Sequence, residues 1–449
     1  MKTWSKGYEL IRLYVRFAFW LTHGKIVVTG RELIPKNKPI IFAPNHQNAL
    51  MDPLALACTN RFQTVWLARA DIFKSKTVSR ILRYLKLLPV YRIRDGKENL
   101  SNNEQIFEQV TRLLENRQTV ALFPEAAHSG RRQMLPHKKA IPRIALEAEE
   151  KNKFSLNLQI VPVGIFYSHY WWFNRTLIVQ YGEPIGIDKY REEYVENPQK
   201  AMLSLRDEIY TQLRPLTLHI ASETYYNDYE NMRQVAGKAF AKTGSFSKNS
   251  TMQQFLAEKE LIFRLENLEA ESPGQFKSLL TKSSEYFEAV DAAGSSDKQV
   301  VRAGETSILK LTGKILASLL TLPLFAFGFL FNAVPFFVPR RILRRKVKNI
   351  TFLSTFNFAA GLILFPLFYI PVATLVGLLT GSWLTAFLCL MLMPFAGKIA
   401  WRLLEYYRLV FAEISFFAGG KTSGRKLKSL YNQRNELITS IMERITITN

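Results

Sequence analysis

The sequence predicts an α/β domain flanked by helices, then a polar helical insert, then transmembrane helices toward the C-terminal end. Three observations predict it. Short apolar runs bounded by turn residues alternate with stretches of helical spacing up to about residue 216. Residues 217–305 are polar and helical in spacing, without a strand-like run longer than a few residues. Residues 315–400 are mostly apolar, whereas charge is dense up to about Arg302. A bilayer core needs about 20 helical residues, and this stretch offers them.

Composition narrows the partners. Phe, Trp and Tyr make up 13 % of the 449 residues, which excludes disorder of the whole chain. The formal net charge of +23 favours polyanions: nucleic acid, anionic lipid surfaces or phosphorylated substrates. The apolar segments decide for anionic membrane lipids and against nucleic acid, since a basic face gains about 1 kcal/mol per Lys or Arg at such a surface. Cys58 and Cys389 stand in unrelated contexts, so neither a disulfide framework nor a zinc site is expected. No histidine cluster calls for a metal.

Taken in order, residues 1–24 hold an apolar run, 10–21, interrupted by Arg12 and Arg16 and followed by no small-residue cleavage site. This reads as an uncleaved interfacial helix, with an ordinary core helix as the alternative. In residues 25–216 strands are expected at 26–28, 40–43, 119–123, 160–163 within 156–165, and 177–179. Helices are expected at 53–58, 76–88, 103–115 and 198–213. In the insert, 258–268 and 277–289 have helical spacing, and 292–296 reads as a linker. The membrane segments occupy 306–402, and 403–449 is an amphipathic helical tail expected to lie along the membrane or on the first domain.

Two segments carry chemistry. The first is Ala43-Pro44-Asn45-His46-Gln47-Asn48-Ala49-Leu50-Met51-Asp52-Pro53, at the end of an apolar strand, where an α/β sheet presents its functional groups. A histidine accepts a proton from a hydroxyl near neutral pH, and a carboxylate holds its ring and steadies the imidazolium. On one continuous helix Asp52 would face away from His46. The pair meets only if His46 lies in the loop before the helix, a placement that Pro53 just inside the helix start supports. The second is Leu122-Phe123-Pro124-Glu125-Ala126-Ala127-His128-Ser129-Gly130-Arg131-Arg132, with a carboxylate directly after a buried strand, costly without a partner or a task. Between them, Arg92 and Arg94 in Leu88-Pro89-Val90-Tyr91-Arg92-Ile93-Arg94-Asp95 are suited to clamping a phosphate, or are solvated loop charges.

In this order the segments resemble the glycerolipid acyltransferase superfamily. Its N-H-x4-D, P-V-x-R, F-P-E-G and V-P-V blocks appear here as Asn45-His46 to Asp52, Pro89-Val90-Tyr91-Arg92, Phe123-Pro124-Glu125-Ala126 and Val161-Pro162-Val163. The resemblance covers about residues 25–215. Two departures stand out. Five residues, not four, separate His46 from Asp52, and Ala126 replaces the family glycine, with no arginine at 127–129. The longer interval, together with Met134-Leu135-Pro136-His137-Lys138, is similar to the fungal glycerol-3-phosphate and dihydroxyacetone-phosphate acyltransferase branch.

The resemblance implies a glycerolipid-acyltransferase-type mixed sheet flanked by helices. It implies direct transfer from an acyl thioester, carried by coenzyme A or by an acyl carrier protein, to a glycerol-phosphate hydroxyl in phospholipid biosynthesis. No cofactor is required. His46 would act as general base and Asp52 would orient it. Asn45, Arg92, Glu125, Lys138 and Arg131 would contact substrate, Arg92 and Lys138 at the acceptor phosphate, with Arg94 and Arg132 as further candidates. Backbone N–H groups near the Glu125 turn would meet the oxyanion. A lipid serine hydrolase competes poorly, for want of a G-x-S-x-G elbow. A degenerate membrane scaffold is the other alternative, argued from Ala126.

The Lys/Arg excess on both sides of residues 356–397 predicts cytoplasmic ends and a two-pass hairpin turning at Gly381-Ser382. The acyl donors that the resemblance implies are cytoplasmic, so the catalytic domain is expected there too. Residues 315–338, broken by Pro323, Asn332 and Pro335, would then form a re-entrant or interfacial segment with a broken helix.

Overall fold

The computed structural model describes residues 4–91, 102–171, 173–243, 250–418 and 422–447. They form two compact units, one of residues 1–218 with 343–362, the other of 219–342 with 363–449.

The first unit is built on a mixed eight-stranded sheet. Its strands are β1 (His23–Thr29), β2 (Ile40–Pro44), β3 (Val65–Arg69), β4 (Leu87–Val90), β5 (Thr119–Ala121), β6 (Gln159–Tyr167), β7 (Arg175–Tyr181) and β8 (Ile185–Gly186). The order is β1-β7-β6-β2-β5-β3-β4, with β8 also on β6. Pairs are parallel except β6 with β7 and β6 with β8. Central β2 is buried along its whole length, as a strand covered on both faces must be. Its side chains alternate: Ile41 and Ala43 join one core, Ile40 and Phe42 the other.

Helices cover both faces: α1 (Lys6–Thr22), α2 (Met51–Thr59), α3 (Lys76–Tyr84), α4 (Asn102–Glu115), α5 (Ala140–Lys151), α6 (Arg191–Glu196) and α7 (Pro198–Leu213). Phe19 of α1 and Met51, Ala55 and Leu56 of α2 enter the Phe42 core; α4, α5 and α7 supply Val110, Ile144 and Leu205 to the other. The helix expected over 76–88 ends at Tyr84. Lys86 takes φ 62° there, and Leu87–Val90 pairs with β3 instead. Pro89 fits because β4 is an edge strand. Strands β3 and β4 went unread in the sequence.

The second unit is helical: α8 (Tyr226–Phe240), α9 (Thr251–Glu271), α10 (Pro273–Ala292), α11 (Asp297–Gly304), most of α12 (Ile308–Lys346) and α13 (Leu353–Thr380), α14 (Trp383–Phe417) and α15 (Thr422–Ile447). The tail does not behave as expected. Its first part continues α14, and α15 packs with the insert. Leu430, Leu437 and Ile441 are buried, and Arg434 bonds Asp297 at 2.6 Å and the Val235 carbonyl at 2.9 Å.

Helices α12, α13 and α14 are long and apolar enough to cross a membrane. The expected helix break at 315–338 is corrected: α12 continues through Pro323, Pro335 and Pro339. It runs antiparallel to α14 as far as Asn332, since Lys314 meets Glu413 at 2.6 Å, Thr321 meets Tyr407 at 3.0 Å, and Asn332 meets the Met393 carbonyl at 3.1 Å. It then bends. Phe336 packs on Trp401 at 4.9 Å, and the Arg340 guanidinium lies 6.0 Å from the same ring. Asn332, read from sequence as a breaker, ties the three helices, because it also accepts the Tyr369 hydroxyl.

Candidate active site

Strand β2 ends at Pro44 between β5 and β6, and the following loop carries His46. Asp52 lies in the first turn of α2, fully buried. Its Oδ2 accepts His46 Nδ1–H at 2.9 Å and the backbone N–H groups of Gln47 and Asn48 at 2.8 and 2.7 Å. Two backbone donors hold that oxygen as an acceptor. The imidazole must therefore carry its proton on Nδ1, which leaves Nε2 as the basic nitrogen. The ring is fixed from one side by Phe123, stacked at 3.8 Å and 11°. The side chain of His46 is 14 % exposed, so it remains reachable.

Behind Asp52 lie Tyr167 and Arg175, both buried. The Arg175 guanidinium stands 4.7 Å from the Tyr167 ring and donates to the Tyr170 carbonyl and, at 3.1 Å, to Ser354 Oγ. Burial, then the Asp52 charge, push the Tyr167 phenol well above its usual range, while burial lowers Arg175. Arg175 is a buried cation near a buried carboxylate, an arrangement in which each charge reduces the cost of burying the other. Sequence reasoning missed both residues. A lone arginine opening the apolar run Arg175–Tyr181 was the available signal.

The other sequence candidates fall into different places. Asn45 is fully buried and spends its amide on Ile165, accepting N–H at 2.6 Å and donating to O at 3.1 Å. It extends the β2–β6 ladder and holds the loop. Glu125 is buried too: Oε1 accepts His46 N–H at 2.8 Å and Oε2 accepts Leu135 N–H at 2.8 Å. It fastens the His46 loop to the 124–135 loop. Burial pushes its carboxyl up to about 8 against the pull of those two donors.

Ala126 sits at φ 56°, in the left-handed region that a glycine adopts without strain. The N–H groups of Ala126 and Ser129 already have acceptors, Phe123 O at 3.2 Å and His46 O at 3.3 Å. Lys138 and Arg131 are exposed. Arg132 is buried, donating to the Tyr167 and Ser168 carbonyls at 2.7 and 2.9 Å, so it is a structural cation and not a substrate clamp. Arg92 and Arg94 lie outside the described residues. Among the described residues no group of His, Cys, Asp and Glu could hold a metal.

The class is an α/β domain that delivers a His–carboxylate pair, with a reachable imidazole nitrogen, at the end of a central strand of a mixed sheet. Residues 25–166 match the family model described as Acyltransferase. Glycerol-3-phosphate O-acyltransferase 2 of Saccharomyces cerevisiae is 23 % identical over 349 residues, 73 % of this chain and 45 % of that protein. The 1-acyl-sn-glycerol-3-phosphate acyltransferase of Borreliella burgdorferi is 24 % identical over 31 % of this chain and 54 % of that protein. The chain thus spans about half the length of these curated relatives. The crystal structure of the 1-acyl-sn-glycerophosphate acyltransferase PlsC of Thermotoga maritima aligns at a TM-score of 0.31 and 23 % identity, over 44 % of this chain and 79 % of that one. Over residues 25–166 the chain carries an acyltransferase domain, similar to the glycerol-phosphate acyltransferases named above.

Proposed function

We propose that the protein moves a fatty acyl group from a thioester to a hydroxyl of glycerol 3-phosphate or its 1-acyl ester, at a membrane. The observation that carries this reading is the His46–Asp52 pair, with Nε2 left basic in a reachable site. The acceptor hydroxyl gives its proton to His46 Nε2 as its oxygen attacks the thioester carbonyl. The imidazolium is held by Asp52. Collapse of the tetrahedral intermediate breaks the C–S bond, and the proton passes to the departing thiolate. The products are an ester and a free thiol. Such base catalysis contributes about 10²–10⁴-fold.

Glycerol 3-phosphate stands first among acceptors because the relative matched over most of this chain bears that name. Lys138, exposed beside the Glu125 loop, is the described cation best suited to the acceptor phosphate. The donor carrier is coenzyme A or an acyl carrier protein, and the basic surface faces anionic lipid with the catalytic domain cytoplasmic. The test uses purified protein in lipid nanodiscs with labelled acyl-CoA or acyl carrier protein and a panel of acceptors. Ester formation with a glycerol-phosphate acceptor, abolished in His46→Ala, is expected. Thioester hydrolysis without ester formation, or undiminished ester formation in His46→Ala, sinks the reading.

A further inference from the structure

Residues 343–362, the junction between α12 and α13, belong to the first unit and pack against the loops that carry the site. Thr355 Oγ1 accepts the Leu50 N–H at 3.2 Å, on the loop between His46 and Asp52. Ser354 receives Arg175 at 3.1 Å, and Phe358 packs on Phe19 at 6.0 Å. The most direct contact is with His128. Thr351 Oγ1 lies 3.1 Å from His128 Nε2, and Phe352 meets the same ring edge-on at 4.8 Å. The His128 ring in turn stands 5.3 Å from His46, at 63°. Gly130 permits this approach, since a Cβ there would come within 2.5 Å of the Thr351 methyl.

The hydrogen bonds have a direction. Thr351 has one hydroxyl hydrogen, and Asn349 Oδ1 takes it at 2.7 Å; the same oxygen accepts the Thr351 N–H at 3.0 Å. Thr351 Oγ1 therefore faces His128 as an acceptor, and His128 must offer Nε2–H. That choice fixes both the plane and the tautomer of a second imidazole beside the proposed base.

We propose that Thr351 is a positioning residue for acyl transfer: through Asn349 it sets His128 in one tautomer and one plane against His46, so that the membrane-helix junction forms a working wall of the active site. This rests on the acyl-transfer reading. The wall matters because His46 becomes cationic during transfer. A neighbour at 5.3 Å that turned, or took up a second proton, would disfavour that cation. The charged and titratable groups around His128 are His46, Asp52 and Arg69, and burial followed by His46 lowers its affinity for a proton.

Thr351→Val keeps the shape and removes the acceptor; Thr351→Ser keeps the acceptor. In the full chain in nanodiscs, Thr351→Val is expected to lower kcat about five- to ten-fold, the scale of one lost hydrogen bond. KM for the acyl donor should hold, and Thr351→Ser should remain within about two-fold of wild type on the same scale. In a His128→Gln background Thr351→Val should cost almost nothing further, which a merely structural role would not give. The ¹⁵N shifts of the His128 ring should report Nε2–H alone in wild type and Thr351→Ser, and a tautomer mixture in Thr351→Val. An unchanged tautomer in Thr351→Val, or additive losses in the double variant, overturns the proposal. A wild-type protein that transfers no acyl group, yet shows the Thr351-dependent tautomer, overturns the acyl-transfer reading and upholds the positioning.

Discussion

Replacing Asp52 by Asn tests the proposed base while keeping the shape of the side chain. Three donors converge on Asp52 Oδ2, at 2.7 to 2.9 Å, and the carbonyl oxygen of an asparagine can occupy that place. The two backbone N–H groups then keep an acceptor, each bond weakened by about 1 kcal/mol when the acceptor loses its charge. The buried Arg175 cation also loses its neighbouring carboxylate, so folding stability should fall by about 3–5 kcal/mol.

The transition state carries a further loss. An imidazolium hydrogen-bonded to a carboxylate gains about 4 kcal/mol at an effective dielectric constant of 20. At 1.36 kcal/mol per decade, that is about a 10³-fold fall in kcat. We expect Asp52→Asn to melt below wild type but to stay folded at the assay temperature, while losing that factor with either substrate saturating. The assay is ester formation from labelled acyl-CoA and glycerol 3-phosphate, with thermal unfolding followed by circular dichroism. A variant that folds normally and keeps more than about a tenth of the wild-type kcat would refute the orienting role, because the loss would fall below the base-catalysis range.

Three further outcomes are expected. Lys138→Ala should raise KM for the acceptor several-fold more than KM for the acyl donor, since a charge on one substrate acts on that substrate; equal effects on both would discount the residue. His137 is buried against Tyr210, and burial holds its pKa at about 4. The unfolded chain takes this proton below about 6.5 and the folded one not until about 4, so stability is full above 6.5 and falls by up to about 3 kcal/mol on acidification toward 4. Thermal melts of His137→Phe should lack that part of the acid sensitivity, and an identical pH slope in the variant would remove His137 as its source. Ala126→Gly, at φ 56°, should raise the melting temperature slightly and leave kcat intact, because relief of left-handed strain, about 1–2 kcal/mol, exceeds the entropy glycine adds to the unfolded chain, about 0.4–1 kcal/mol. A lower melting temperature would contradict it.

What the sequence disclosed, and what it withheld, follows from the range of the interactions. The His46–Asp52 pairing was legible because it is local: helical geometry forbids it on a continuous helix, and Pro53 marks where α2 begins. The central strands were legible from their unbroken apolar runs. β4 was hidden inside a stretch with helical spacing, since nothing in residues 76–88 announces that Lys86 turns to positive φ. Asn45 and Glu125 were found as important, yet their work is to bind backbone, which no motif distinguishes from binding substrate. Thr351 and Ser354 are separated from His128 and Arg175 by 223 and 179 positions, and only the fold brings them together.

The bend in α12 has a consequence for counting. A straight helix of 39 residues would extend about 58 Å and deliver its end far beyond Asn332. Because α12 bends there, Phe336 and Arg340 lie back against Trp401, and the Lys314–Glu413 contact puts the start of α12 beside the far end of α14. In a bilayer we expect an even number of full crossings, since α15 after these helices packs with α11 before them; a cysteine at Ser296 and one at Ser440 that label from opposite sides with an impermeant thiol reagent would contradict this. The polar helices on either side of them then share one aqueous compartment.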